Sequence, residues 1–170
     1  MSSKAVELAR AAIESFVRSG KKIEPPRDLP PELKGRAGVF VSIHRKNGDL
    51  RGCIGTFLPM QSDIAREIID NAIHSCSGDP RFPAVKPEEL ADLDVSVDIL
   101  TTPVPVKDIS ELDPKKYGII VSSGERRGLL LPDLEGVDTV QQQIEICRHK
   151  AWIGHEDPIT MEKFEVRRFH

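Results

Sequence analysis

Apolar residues recur every three or four positions over residues 3–20, at Ala5, Leu8, Ala9, Ala12, Ile13, Phe16 and Val17. That period lays one apolar stripe along a helix, and Gly20 suits its end. The period stops over residues 21–36, where four prolines predict an extended surface loop. Over residues 38–57 the pattern changes to alternation, interrupted by Asn47-Gly48. This predicts a hairpin with a two-residue type I′ turn, pairing Lys46 with Asp49, His44 with Arg51 and Ser42 with Cys53. In that register Val41, Ile43, Leu50 and Ile54 share the core face. Ser42, His44, Arg51 and Cys53 share the opposite face. A slip by one residue would break both sets at once.

Residues 62–78 return to helical spacing, with Ser62 as N-cap and a stripe of Ile64, Ile68, Ala72 and Cys76 beside Ile69 and Ile73. The loop 79–90 carries Arg81 and Phe82 between prolines. A strand is predicted over 93–101, where Leu93, Val95, Val97 and Ile99 alternate with Asp94, Ser96 and Asp98, read as a solvated face. A second hairpin spans 117–132 and turns near Gly124. A last helix is predicted over 138–154, with Asp138 and Gln141 as a capping box and Val140, Ile144, Cys147 and Ala151 as its stripe. Residues 163–169 alternate like an edge strand. Helices and antiparallel hairpins without regular βαβ alternation mean an α+β fold, an antiparallel-rich sheet flanked by helices.

The chain has 170 residues, the size of one domain, and 39% of them are hydrophobic, enough to build a core without staples. The formal net charge is −3, so no global field favours nucleic acid or an anionic membrane. Aromatic residues make up 5% and are not interleaved with basic runs, which leaves no platform for stacking bases. No apolar run approaches the ~20 residues needed to cross a bilayer. Glu7, Arg10 and Glu14 interrupt the N-terminal apolar residues, against a signal peptide. Three cysteines without a CxxC pair argue against a zinc knuckle or a disulfide scaffold and point to the cytoplasm. No metal site is expected, and no cofactor is named by any motif.

The chemistry concentrates in 50-LRGCIGTFLP-59. Cys53 has two readings. It is a half-buried strand cysteine whose glycines serve packing, or it is a thiol with thiolate character favoured by Arg51 and His44. Gly52 and Gly55 would then let a substrate reach the sulfur. His44 is the candidate base. Arg51 and Arg81 are candidates for holding a carboxylate or phosphate, and Ser42 for a hydroxyl contact. Arg126 and Arg127 are further arginines of this kind, at least one of them read as a solvated turn residue.

The blocks 38-GVFVSIHRKNGDLRGCIGTF-57, 79-DPRFPAV-85, 94-DVSVDIL-100 and 125-ERRGLLLPDLEGVDT-139 resemble the AMMECR-type domain, protein A of the AmmeMemoRadiSam system. The resemblance runs over nearly the whole chain. It departs at Trp152, where a small residue would be expected. It implies one domain over residues 1–170 with two sub-domains, and a cleft between lobes near LRGCIG. It also implies association with a Memo-type, dioxygenase-like protein and with a radical SAM protein. No established reaction comes with it. Two functions are therefore in view. One is an enzyme or enzyme subunit with a Cys53-centred interlobe site for a small anionic substrate. The other is an adaptor that docks a Memo-type partner through the LRGCIG surface.

Overall fold

The structure is a computed structural model and describes residues 3–170. The chain forms two compact units. One holds the residues up to Leu100 together with Arg167–His170, and the other is Thr101–Val166.

In the first unit, helix α1 (Lys4–Ser19) starts at Ser3, whose side chain accepts from the Val6 N–H, and ends at Gly20 in the left-handed region. Strands β1 (Val39–Arg45), β2 (Leu50–Thr56) and β3 (Leu93–Leu100) join β8 (Val166–Phe169) in a four-stranded sheet of order β2-β1-β3-β8. Helix α2 (Ile64–Ser77) follows β2. Its N-cap is Asp63 rather than Ser62, the Asp63 carboxylate accepting from the Arg66 N–H. The two helices bury their stripes with Val39, Val41 and Ile43 of β1 and Val95, Val97 and Ile99 of β3 in one core. The other face of β1 carries Phe40, Ser42 and His44, all half-buried.

In the second unit, β4 (Val104–Val106), β5 (Gly118–Ser123), β6 (Arg126–Leu130) and β7 (Thr160–Phe164) form a sheet of order β4-β7-β5-β6. Helix α3 (Val140–Lys150) comes close enough to β6 that a Cβ on Gly128 would lie 2.2 Å from the Cys147 carbonyl oxygen. Thr139 and Gln142 form the capping box, one residue later than expected. The helix stops at Lys150 because Trp152 takes φ 58, a left-handed position that favours small residues. That conformation accounts for the small residue the family resemblance led us to expect there. The C-terminal segment, expected as one strand, is two: β7 and β8 lie in different sheets.

The first hairpin corrects the predicted turn. Gly48 N–H donates to the Arg45 carbonyl, Arg45 N–H donates to the Asp49 carbonyl, and Gly48 has φ 96. This is a three-residue loop, a turn followed by a left-handed glycine. Asn47 does not have the positive φ that a type I′ turn requires. The extra loop residue shifts the pairing at the tip, so His44 faces Leu50 instead of Arg51. A bulge at Arg51 restores the expected register further in, where Ile43 faces Gly52 and Ser42 faces Cys53. Leu50 consequently leaves the core face and is 38% exposed.

Candidate functional site

All seven candidate residues lie in the first unit. Ser42 and Cys53 are cross-strand neighbours on the sheet face away from the helices. Both outward backbone groups of Cys53 point away from β1. Its N–H donates to Asp79 Oδ2 at 2.9 Å, and its carbonyl accepts from Arg81 Nη2 at 3.1 Å. Cys53 and Ser42 are therefore a non-hydrogen-bonded pair, in which opposite side chains come closest. Cys53 Sγ accordingly sits 3.2 Å from Ser42 Oγ.

The Asp79–Arg81 pair comes from the loop after α2. Arg81 donates from Nε to Asp79 Oδ1 at 3.0 Å and from Nη2 to Oδ2 at 2.8 Å. β2 is an edge strand, and these side chains occupy backbone groups that another strand would otherwise take. Asp79 is 4% exposed, and the Arg81 guanidinium holds its carboxyl well below the usual carboxylate range. Arg81 stays exposed on its outer side.

Burial pushes the Cys53 thiol above its ordinary pKa. The Ser42 hydroxyl and Arg81 act against that shift, while Asp98 and Asp79 add to it. The cation acting on this sulfur is Arg81. Arg51, expected beside it, is displaced by the bulge and is 5% exposed. It donates to Glu89 from Nε at 3.0 Å and from Nη2 at 3.1 Å, and from Nη1 to the Pro83 carbonyl at 2.9 Å. Arg51 holds the Glu89 carboxyl down at about 2 and has no free fork for a substrate.

The glycines are packing devices, against the expectation that they clear a path to the sulfur. A Cβ on Gly52 would lie 2.2 Å from the Ser75 carbonyl oxygen of α2, and one on Gly55 would lie 2.2 Å from the Phe40 ring. His44 shares the face of Ser42 and Cys53 but makes no hydrogen bond to the thiol. It stands between Leu50 and Asp94.

Two features of this face were missed in the sequence. Asp98, read as solvated, is 4% exposed and paired twice with Arg168 of β8, at 2.8 and 3.0 Å. Ser96 lies opposite Ser42 on β3 and adds a second hydroxyl. The partner of Asp98 is 70 residues away, beyond the reach of any local pattern. No group of three or more His, Cys, Asp or Glu among the described residues is placed to hold a metal ion. No helix among them is long and apolar enough to cross a membrane.

The family model AMMECR1 matches residues 6–170. A Thermotoga maritima protein is 56% identical over 166 residues, covering 96% of this chain and 95% of that protein. A Clostridium acetobutylicum protein is 49% identical over 96% of this chain, but the match covers 35% of its length. The crystal structure of an uncharacterized protein from Pyrococcus horikoshii superposes with a TM-score of 0.87 at 37% identity, over 96% of this chain and 88% of that one.

Proposed function

The chain belongs to the AMMECR1 family, and from that premise we propose that the Cys53 face of its first unit binds a small anionic molecule, as an enzyme or enzyme subunit. The observation that carries this reading is the thiol–hydroxyl pair of Cys53 and Ser42, 3.2 Å apart. It sits on an edge strand whose outward backbone groups are held by Asp79 and Arg81. A scaffold that fixes one thiol so fully is suited to meeting a ligand in a single geometry. Burial favours the neutral form of the Cys53 thiol, so nucleophilic chemistry would need a base. His44, on the same face, is the candidate. Arg81 is the site cation with an exposed side, and Arg51 is structural.

The test is mass spectrometry of small molecules that co-purify with the wild type and with Cys53→Ser. An anionic compound retained by the wild type and depleted in the variant supports the reading. The same compounds in equal amounts in both would contradict it.

A second reading has its own observation. Leu58 and Met60, just past LRGCIG, are 47% and 72% exposed. They suit docking of a protein partner, for which the family resemblance offers a Memo-type protein and a radical SAM protein. In the Clostridium acetobutylicum relative the matched region is about a third of a longer chain, as for a module working beside another domain. Sedimentation of this chain mixed with a purified Memo-type protein tests it. Complex formation lost in Met60→Asp supports docking, and independent sedimentation of the two wild-type proteins contradicts it.

A further inference from the structure

A cavity of about 510 Å³ lies at the turn end of the first hairpin, within the first unit. Its size is that of a small-ligand site, which typically runs to roughly 300–1,000 Å³. Its walls bring together Arg10 of α1, His44 and Lys46 of the hairpin, Ser96 of β3 and His170, with Asp94 as the lining acid. Asp94 is largely exposed and reaches Arg10 only at 4.0 Å. Arg45 also lines the cavity, but its charge is met by Glu89 at 3.0 Å and Asp92 at 3.8 Å.

The polar groups facing this space are short of partners. Lys46 makes no ion pair among the described residues, and the side chains of His44 and Ser96 make no hydrogen bond there. Arg10 spends Nη2 on the Leu93 carbonyl and keeps its remaining donors. Two cations, two imidazoles and a hydroxyl thus converge on one concavity with a single, weakly engaged acid. The chain carries a formal net charge of −3, so no global positive field accompanies this local charge. Donors without partners around a cavity of this size fit an oxyanion.

We propose that this cavity seats the carboxylate or phosphate group of a small molecule, with Lys46 and Arg10 as its charged contacts and His44 and Ser96 as further hydrogen-bonding ones. His44 and Ser96 also border the Cys53 face, since β1 carries both Ser42 and His44 and Ser96 pairs with Ser42. The seat therefore deepens the reading of that face as a small-molecule site. It rests on that reading for the identity of the ligand's other end only.

The experiment is an amide NMR titration at low ionic strength, with sodium phosphate in one arm and sodium acetate in the other. Saturable shifts at Lys46 and Ser96 are expected in the wild type and in Cys53→Ser alike. Lys46→Gln, at an exposed loop position, should weaken binding about tenfold, and Lys46→Arg should restore it. The ion that saturates at the lower concentration identifies the group the seat takes. No saturation by either ion overturns the proposal, as does unchanged affinity in Lys46→Gln or an equal loss in Cys53→Ser. The co-purification comparison is read separately. The seat can stand if the Cys53 reading falls, and the reverse.

Discussion

Burial and local charge pull the Cys53 thiol in opposite directions, and burial wins. The other two cysteines are pushed higher by burial, Cys76 to about 11 and Cys147 to about 12, and both are buried where Cys53 is half-exposed. Exposure and acidity therefore rank the three in the same order. Cys53 should be the first alkylated by iodoacetamide near neutral pH, but more slowly than a free cysteine. Peptide mapping of a time course checks this. Arg81→Ala should slow the reaction further, by removing the nearby cation and leaving Asp79 unpaired. Arg51→Ala should leave the rate unchanged and cost stability instead, about 1.5–3 kcal/mol, because Glu89 would lose its bidentate partner and keep only Arg45 and the Lys86 N–H. Urea unfolding of that variant measures the loss.

On the scale of elements, the hairpin and α2 explain what was legible in the sequence. The Ser42–Cys53 pairing was readable because apolar alternation fixes which residues face the core. The tip was not, because Asn-Gly serves a three-residue loop as well as a two-residue turn, and only the bulge at Arg51 reconciles the two registers. The α2 stripe of Ile64, Ile68 and Cys76 was also readable. Beside it lies a polar stripe that apolar periodicity passes over: Glu67, Asn71 and Ser75, four residues apart and each at most 3% exposed. Ser75 Oγ donates to the Val41 carbonyl at 2.8 Å and accepts from the Ile54 N–H at 3.0 Å, bridging β1 and β2. Asn71 donates to the Val39 carbonyl at 2.9 Å, and Glu67 accepts from Thr56 Oγ1 at 2.6 Å. Ser75→Ala would remove the hydroxyl's bonds to the Val41 carbonyl and the Ile54 N–H and should cost about 0.5–1.5 kcal/mol, with faster amide exchange at Ile54. Gly52→Ala should cost about as much or more, since its methyl group would meet the Ser75 carbonyl.

Across the whole molecule, the first unit's stability depends on carboxylates held in their ionised form. Glu89 is held at about 2, against an ordinary 4.5, by Arg51 and then by the Lys86 N–H, and Asp79 is lowered by Arg81. A folded-state pKa below the unfolded one means that the unfolded chain binds more protons as pH falls. The Arg51–Glu89 contribution is therefore complete above pH 4.5 and is lost as pH falls toward 2. Urea midpoints should fall through that window, and Glu89→Gln should flatten part of the fall while lowering stability at neutral pH. The two sheets were foreseeable only in outline. One alternating C-terminal run supplies strands to both of them, and its division follows from long-range pairing that no local period encodes. The Cys53 face is proposed as a ligand site. Its most direct test is protection of that thiol by the small-molecule fraction released from the purified protein on heating. Added back to ligand-stripped protein, that fraction should slow iodoacetamide labelling of Cys53 and leave Cys76 and Cys147 unaffected. An unchanged rate at Cys53 would contradict the claim and leave the Cys53–Ser42 pair as packing.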